Sequence, residues 1–361
     1  MSRNTNFRNL LAGAVVLSSA AFSSFEVDAC SRLLMNQSEK PPFVARSVDF
    51  FEDPGAIVHV KPRGIRNDGG AGKNSAHWVS RYGSVVVTIL GSPGFMGEGI
   101  NTEGLAFHGL LHEKSDFEQR DNRPGVLMSR YGQFLLDNAG SVSQALQLMS
   151  RVQLVEEPTT SSFASLPVHI ALEDASGDSA IIEFDAGVMK TYQQRDYNVL
   201  TNSPSFPDQL ENLKKYRYMG MGGTLPLPGE IDSSSRFVRG SAYLKTPPSI
   251  ADQQQAVSFM QSAIRGVSSP FGTLEYDDVG HPNEPPSSGW PTVITLVYDL
   301  QNRHIFYNQT NAGNYFRIEM DRVDFSSHEP EVCLDPAGPN LHGEVSHRFT
   351  KRACWQHKLE H

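Results

Sequence analysis

One cysteine directly follows a segment that has the pattern of a secretory signal peptide. Two arginines precede an apolar stretch over residues 10–25, and the small residue Ala29 ends the segment. Positive charge, a short apolar run and a small residue before the cleavage point are what signal peptidase requires. We therefore expect residues 1–29 to be removed, the mature chain to begin at Cys30, and the protein to be periplasmic or secreted.

A cysteine at a new amino terminus carries a thiol and a free α-amine on the same residue. The amine has a pKa of about 7.7–8.0 in model peptides, so it can accept the thiol proton near neutral pH. One residue then supplies both nucleophile and base, as in enzymes with an N-terminal Thr or Cys. The position of Cys30 therefore predicts nucleophilic catalysis.

A lipid anchor is a different reading of the same cysteine. An alanine before a cysteine also occurs in lipoproteins, where the cysteine is acylated, and the protein would then be a lipid-anchored periplasmic binding protein. Two acidic residues, Glu26 and Asp28, interrupt the segment just upstream, and Val27 stands where a lipoprotein signal favours Leu. These residues favour ordinary cleavage over lipidation.

A structural disulfide is a second alternative role for Cys30. The chain has 3 cysteines, and two of them, Cys333 and Cys354, lie close together in a polar C-terminal tail. In an oxidising compartment these two are expected to pair, which leaves Cys30 as a free thiol.

Composition and missing motifs exclude several classes of function. The chain has 31 Lys+Arg against 40 Asp+Glu and a net charge of -9, so it lacks the basic clusters of a nucleic-acid groove. No apolar run after the signal segment is long enough to span a membrane. His108 and His112 have the spacing of a helical metal site, but Gly109 and its apolar neighbours favour a strand there. We expect no metal and no cofactor.

Hydrophobic periodicity predicts an α+β architecture in which hairpins form antiparallel sheets. The predicted strands cover residues 56–60 and 84–90, with hairpins over 168–184 and 292–307. The predicted helices cover 124–140, a second segment capped by Ser141, 207–218 and 250–267, and residues 270–291 are predicted to be a loop.

Several short blocks lie in the order found in one enzyme family. Cys30-Ser31-Arg32 is followed by Arg46 sixteen residues after the cysteine and by Asp49 nineteen residues after it. Further blocks are Lys-Pro-Arg-Gly at 61–64, Arg-Tyr-Gly-Ser-Val at 81–85, Gly-Ile-Asn-Thr-Glu-Gly-Leu-Ala at 99–106, Leu-Thr-Asn-Ser-Pro-Ser-Phe at 200–206 and Ser-Arg-Phe-Val-Arg at 235–239. Over residues 30–325 the chain resembles the choloylglycine hydrolase and penicillin V acylase family of N-terminal-nucleophile hydrolases. Residues 326–361 form a C-terminal tail that the disulfide would close.

The resemblance implies a fold, a reaction and a set of site residues. It implies a four-layer αββα fold with two stacked antiparallel sheets, hydrolysis of a linear amide in a small acyl substrate, and a homotetramer. The implied roles are a nucleophile at Cys30, a carboxylate at Asp49 that holds its amine, a cation at Arg46 that favours thiolate, an oxyanion donor at Asn202, and an orienting cation at Arg236. Taken singly, these residues also fit an ordinary ion pair, a turn and a surface charge.

The sequence departs from the bile-salt hydrolases of the family at the second oxyanion donor. Leu111 stands where those enzymes have Asn, so the backbone N–H of residue 111 would have to serve instead. This departure and the signal segment favour the Gram-negative penicillin V acylase branch, in which Phe50 replaces a frequent Trp. Aryl-acyl or fatty-acyl amides are the expected substrates, including penicillin V and N-acyl-homoserine lactones, with conjugated bile salts as the alternative. The residues expected to line an acyl pocket are Phe50, Phe95, Met96, Phe107 and Leu111.

Overall fold

Two large β-sheets pack face to face in the computed structural model of the chain. The model describes residues 30–37, 40–50, 54–89, 95–158, 167–217, 222–270, 291–351 and 354. Within these residues one sheet has seven strands in the order β14-β1-β2-β15-β16-β17-β19, and the other has eight in the order β13-β12-β11-β8-β7-β6-β3-β18. All neighbouring pairs in the two sheets are antiparallel except β17 with β19.

The seven-stranded sheet consists of β1 (Ser31–Met35), β2 (Phe43–Asp49), β14 (Val199–Leu200), β15 (Thr292–Asp299), β16 (His304–Gln309), β17 (Asn314–Glu319) and β19 (His342–Glu344). The eight-stranded sheet consists of β3 (Ile57–Lys61), β6 (Ser84–Ile89), β7 (Phe95–Asn101), β8 (Ala106–Leu111), β11 (Val168–Glu173), β12 (Ser179–Asp185), β13 (Val188–Gln193) and β18 (Val332–Leu334). Two small sheets pair β4 (Arg66–Asp68) with β5 (His77–Val79) and β9 (Gly125–Leu127) with β10 (Gln153–Val155).

Helices cover the outer face of each sheet. They are α1 (Met128–Asn138), α2 (Val142–Met149), α3 (Phe206–Leu213), α4 (Ser233–Lys245) and α5 (Gln253–Arg265). The apolar faces of α1 and α2 pack on the eight-stranded sheet, whereas α5 packs on β2 and β15 and α4 packs on β1. Because helices cover one face and the other sheet covers the opposite face, every residue of β2 and β15 is buried. The layers are therefore helix, sheet, sheet and helix, as predicted.

The predicted hairpins are confirmed, and so is the Ser141 cap, whose side chain accepts a hydrogen bond from the Gln144 backbone N–H. The helix predicted from residue 124 begins only at Met128, because Gly125–Leu127 pairs with β10 as a strand. The helix α4 was not predicted at all. The predicted loop over 270–291 lies almost entirely outside the described residues.

The C-terminal tail belongs to both sheets. β18 extends the eight-stranded sheet by pairing with β3, and β19 extends the other sheet by pairing with β17. Cys333 and Cys354 form a disulfide, as predicted, and Cys30 is a free cysteine. No helix in the described parts of the chain combines the length and hydropathy needed to cross a bilayer.

Candidate active site

Cys30 lies directly before β1, between the ends of the two sheets. Its side chain is buried, and its backbone nitrogen donates to Asp49 Oδ2 over 3.2 Å. Antiparallel pairing explains this contact, since β1 and β2 run side by side with Ser31 opposite Ser47. The predicted pairing of the Cys30 nitrogen with the Asp49 carboxylate is therefore present in the structure.

Asp49 is held from its other side by a residue that the sequence did not indicate. Asp49 Oδ1 accepts a hydrogen bond of 2.6 Å from the Thr292 hydroxyl, and the two residues are opposite partners on β2 and β15. Both side chains are buried. This hydrogen bond orients the carboxylate toward Cys30, and it joins two residues that are 243 positions apart in the sequence.

Arg46 is fully buried beside Cys30. Its guanidinium donates to the carbonyls of Ser47 and Gly109 and forms an ion pair of 2.6 Å with Glu98. Burial alone would lower the pKa of Arg46, but the negative charges of the Cys30 thiolate and Glu98 outweigh it and raise that pKa. Arg46 is therefore a permanent cation in the site.

Arg46 is one of three influences on the pKa of the Cys30 thiol. Burial raises the pKa of the Cys30 thiol, Arg46 lowers it, and Asp49 raises it again. The desolvation effect is the largest of these, so the net shift is upward. A thiol in this state needs a base to take its proton.

Asn202 and Arg236 form one hydrogen-bonded unit that contacts Cys30. Arg236 donates to the Cys30 carbonyl over 2.5 Å and to Asn202 Oδ1 over 2.9 Å. Asn202 Nδ2 donates to the Leu111 carbonyl over 2.8 Å. Arg236 is 1% exposed, which excludes a solvated surface charge and agrees with the orienting role that the resemblance implies.

The backbone of Leu111 faces the same side as Asn202. The neighbouring pair of His112 and Pro167 is hydrogen-bonded, and hydrogen-bonded and non-hydrogen-bonded pairs alternate along antiparallel strands. Leu111, opposite Val168, therefore directs its N–H and its carbonyl away from β11. Since its carbonyl meets Asn202 Nδ2, its N–H projects toward the same region.

An apolar pocket opens beside the Cys30 thiol. Of the residues predicted to bind substrate, Phe50, Phe95 and Leu111 line it. Its other apolar walls are Val48, Val87, Ile89 and Val168. Met96 and Phe107 do not line it: both pack on α1, where a Cβ on Gly132 would collide with their side chains. For these two residues the pocket role stays a prediction, and the structure places both in the core between sheet and helix.

The buried histidines near the site belong to separate networks. His108 lies between two glutamates, whereas the His112 Nδ1 contacts Ser203 Oγ over 3.2 Å. The His112 ring stacks on the His169 ring at 4.7 Å with an angle of 5° between the planes. Two parallel stacked imidazoles cannot both hold one ion in their ring planes, so this pair, with Glu183 beside it, is not arranged as a metal site.

Comparison with known proteins identifies the class to which this architecture belongs. The chain is similar in structure to a penicillin V acylase from Agrobacterium tumefaciens, with a TM-score of 0.77, 30% identity, and coverage of 89% of this chain and 97% of the other. A variant of the conjugated bile acid hydrolase from Clostridium perfringens shares the fold, with a TM-score of 0.70 at 17% identity over 87% of this chain and 98% of the other. The architecture is the αββα fold of N-terminal-nucleophile hydrolases.

Sequence comparison gives the family. The family model for linear amide C–N hydrolases of the choloylglycine hydrolase family matches residues 30–333. The penicillin V acylase of Pectobacterium atrosepticum is 30% identical over 336 residues, which is 86% of each chain. The conjugated bile acid hydrolase of Lactobacillus gasseri is 26% identical over 82% of this chain and 96% of its own length. This chain belongs to the choloylglycine hydrolase family of linear amide C–N hydrolases.

Proposed function

We propose that removal of residues 1–29 during export exposes Cys30 as the nucleophile of an acylase. The observation that carries this proposal is the contact between the Cys30 nitrogen and Asp49, 3.2 Å apart at the edge of an apolar pocket. Once Ala29 is gone, that nitrogen becomes a free amine, and a neighbouring carboxylate holds it in place and raises its basicity. The raised pKa of the thiol supports this role, since a neutral thiol needs a base nearby.

The reaction consists of two acyl transfers. The amine of Cys30 takes the thiol proton as the sulfur attacks the amide carbonyl, and it returns the proton to the leaving nitrogen as the C–N bond breaks. The acyl group is then a thioester on Cys30. Water attacks the thioester with the same amine as base, which releases the acid and restores the thiol.

Two neutral donors stabilise the negative oxygen that develops during attack. One proton of Asn202 Nδ2 is used by the Leu111 carbonyl, which leaves the second for the oxyanion. The Leu111 N–H supplies the other donor from the same region. Arg236 holds Asn202 through its Oδ1, so the amide is oriented before substrate binds.

The proposed substrates are aryl-acyl or fatty-acyl amides of the penicillin V type. The apolar walls around Phe50, Phe95 and Leu111 suit an uncharged acyl group. Similarity to two penicillin V acylases, each at 30% identity, supports this class. N-Acyl-homoserine lactones fit the same description, and the similarity to conjugated bile acid hydrolases makes bile-salt hydrolysis the second candidate.

The decisive experiment is turnover of a small amide panel by the exported protein and its Cys30→Ala variant. Penicillin V, penicillin G, N-acyl-homoserine lactones of increasing chain length and glycocholate separate the candidate substrates. We expect the exported protein to hydrolyse at least one of them and Cys30→Ala to lose that activity while keeping the circular dichroism spectrum of the parent. Activity retained by Cys30→Ala would refute the mechanism.

The same sample tests the remaining parts of the proposal. Intact mass should show a chain that begins at an unmodified Cys30, recovered from the periplasm or the medium. A lipid on Cys30, together with no turnover, would instead support the anchored binding protein. The homotetramer proposed from the family resemblance should appear in light scattering.

A further inference from the structure

A continuous row of alternating charges lies between the two sheets behind Arg46. Arg46 Nε is 2.6 Å from Glu98 Oε1, and Glu98 Oε2 pairs with His108 Nδ1. His108 Nε2 is 2.5 Å from Glu173 Oε1, and Glu173 Oε2 is 2.6 Å from an Arg32 nitrogen. All five side chains are at most 3% exposed. We call these residues the charge row.

Both sheets contribute to the charge row. Arg32 on β1 and Arg46 on β2 are direct register partners, so two cations lie side by side on the same face of one sheet. Like charges in such positions repel each other. Glu98, His108 and Glu173 reach them from β7, β8 and β11 of the opposite sheet, and three positive groups then alternate with two negative ones.

A buried row of charges is weak evidence of added stability. Taking charges out of water has a large desolvation cost, and well-packed apolar residues of similar size hold two sheets together at least as well. Apolar residues such as Leu34, Ile100 and Leu296 fill much of the space beside the row.

His108 is the cation at the centre of the row. Its Nδ1 is hydrogen-bonded to Glu98, whereas its Nε2 lies 2.5 Å from Glu173 Oε1 without hydrogen-bond alignment, so the ring is linked to Glu173 by charge. The groups around it are Glu98, Glu173, Arg46 beyond Glu98, and the Tyr298 ring on β15 at 5.3 Å. Burial alone would lower the pKa of His108, but Glu173 and Glu98 outweigh it and raise that pKa to about 9.

We propose that Glu98, His108, Glu173 and Arg32 are positioning residues that hold the Arg46 guanidinium at Cys30 and keep its charge available to the thiolate. Glu98 is shared, with one oxygen on Arg46 and the other on His108. Because His108 compensates half of that carboxylate, Arg46 is anchored without being neutralised. The inference rests on the proposed role of Cys30 as nucleophile, and it adds the residues that set the positive charge beside its thiol.

The charge row predicts opposite effects for two neutral substitutions. In His108→Gln only Arg46 compensates the charge of Glu98. Arg46 then stabilises the thiolate less, so the pKa of the Cys30 thiol rises by about one unit. In Glu98→Gln the opposing charge disappears and the thiol pKa falls by a similar amount, yet Arg46 loses its anchor. We therefore expect kcat to fall in both variants with little change in KM, although their thiols shift in opposite directions.

The experiment measures the rate of Cys30 alkylation by iodoacetamide against pH, with mass spectrometry of the mature protein as readout. His59→Gln is the matched control. His59 is a buried histidine on β3 of the eight-stranded sheet and pairs with the carboxylate of Glu331, but it lies outside the charge row. The control should keep the pH profile of the parent. The profile of His108→Gln should move to higher pH, and that of Glu98→Gln should move to lower pH. Profiles that coincide with the parent, or that move together, would overturn the proposal.

A measurement on the unsubstituted protein covers the case in which a variant does not fold. Nitrogen NMR of the imidazole rings should show His108 doubly protonated at pH 7.5, and a neutral ring at that pH would overturn the proposal. Neither readout needs turnover. A protein that hydrolyses no amide but shows these shifts would contradict the proposed function and leave the charge row intact.

Discussion

His108 lies on β8 and His112, four positions later, directly follows that strand, yet their surroundings are opposite. His108 lies between two carboxylates, and its pKa is raised to about 9. His112 contacts a hydroxyl and stacks on His169; burial and then the charge of His169 lower its pKa to about 4. Both rings are at most 4% exposed, so burial does not by itself decide the charge of a histidine.

The difference matches the two halves of the candidate site. His108 belongs to the row that backs Arg46 and the proposed nucleophile, Cys30, where a fixed positive charge favours thiolate. His112 and His169 flank the oxyanion side: His112 contacts Ser203, and His169 bonds to the Thr201 carbonyl, on either side of Asn202. The nucleophile side is thus organised by a row of alternating charges, whereas the oxyanion side combines amide, hydroxyl and imidazole groups with the single guanidinium of Arg236.

The largest effect should come from the oxyanion side. Asn202→Ala removes the side-chain donor proposed for the developing oxyanion, so we expect kcat to fall by about 10²–10³ with a smaller change in KM. Steady-state kinetics on the preferred amide would measure this. A near-parental kcat would remove Asn202 from the proposed oxyanion site and leave that half without a catalytic role.

The two histidines should affect stability in opposite pH windows. Protonation of His108 stabilises the fold below its ordinary pKa of 6.5, and that contribution is lost as the pH rises from 6.5 to about 9. His112 is neutral in the folded chain down to about pH 4, so unfolding takes up a proton and stability falls as the pH drops from 6.5 to about 4.

Urea unfolding across pH separates these contributions. His108→Gln should flatten the loss of stability on the alkaline side, and His112→Gln should flatten the loss on the acidic side, each by about 1–3 kcal/mol across its window. For each variant the free energy of unfolding is plotted against pH, and the slopes of these plots are compared. Identical slopes for the two variants would contradict the contrast between the two halves.

The smallest effect should come from the side chain of Leu111. If this residue contributes its backbone N–H to the oxyanion, Leu111→Ala keeps that donor and loses only apolar contact with the acyl group. We expect KM to rise several-fold, within about 1–2 kcal/mol of lost burial, with kcat nearly unchanged. A large fall in kcat would show that the side chain, and not the backbone, matters here.

Local features of the sequence predicted much of the fold. Three predictions are confirmed: the hairpin over 168–184, the Ser141 cap and the Cys333–Cys354 disulfide. The first two depend on neighbouring residues, and the third requires a choice among only 3 cysteines. The helix α4 was missed because its first turn is Ser-Ser-Ser, which resembles a turn. Its N-cap is the preceding Asp232, which accepts from the Ser235 backbone N–H.

The supporting residues of the site were missed because they are distant in sequence. Arg46 and Glu98 are 52 residues apart, Arg32 and Glu173 are 141 apart, and Asp49 and Thr292 are 243 apart. Only the pairing of strands brings them together. A usable signal was present, however, since Glu98 and His108 interrupt apolar strands, and buried charges are rare unless they are paired.

The central claim is that Cys30 uses its own α-amine as base, and the most direct test compares two amino termini. One mature chain begins at Cys30 and the other at Ala29, each verified by intact mass and released from a removable fusion. The chain that begins at Cys30 should hydrolyse its amide substrate, and the chain that retains Ala29 should be slower by about 10²–10⁴, because its nitrogen is tied up in a peptide bond. Equal turnover by the two chains would contradict the account.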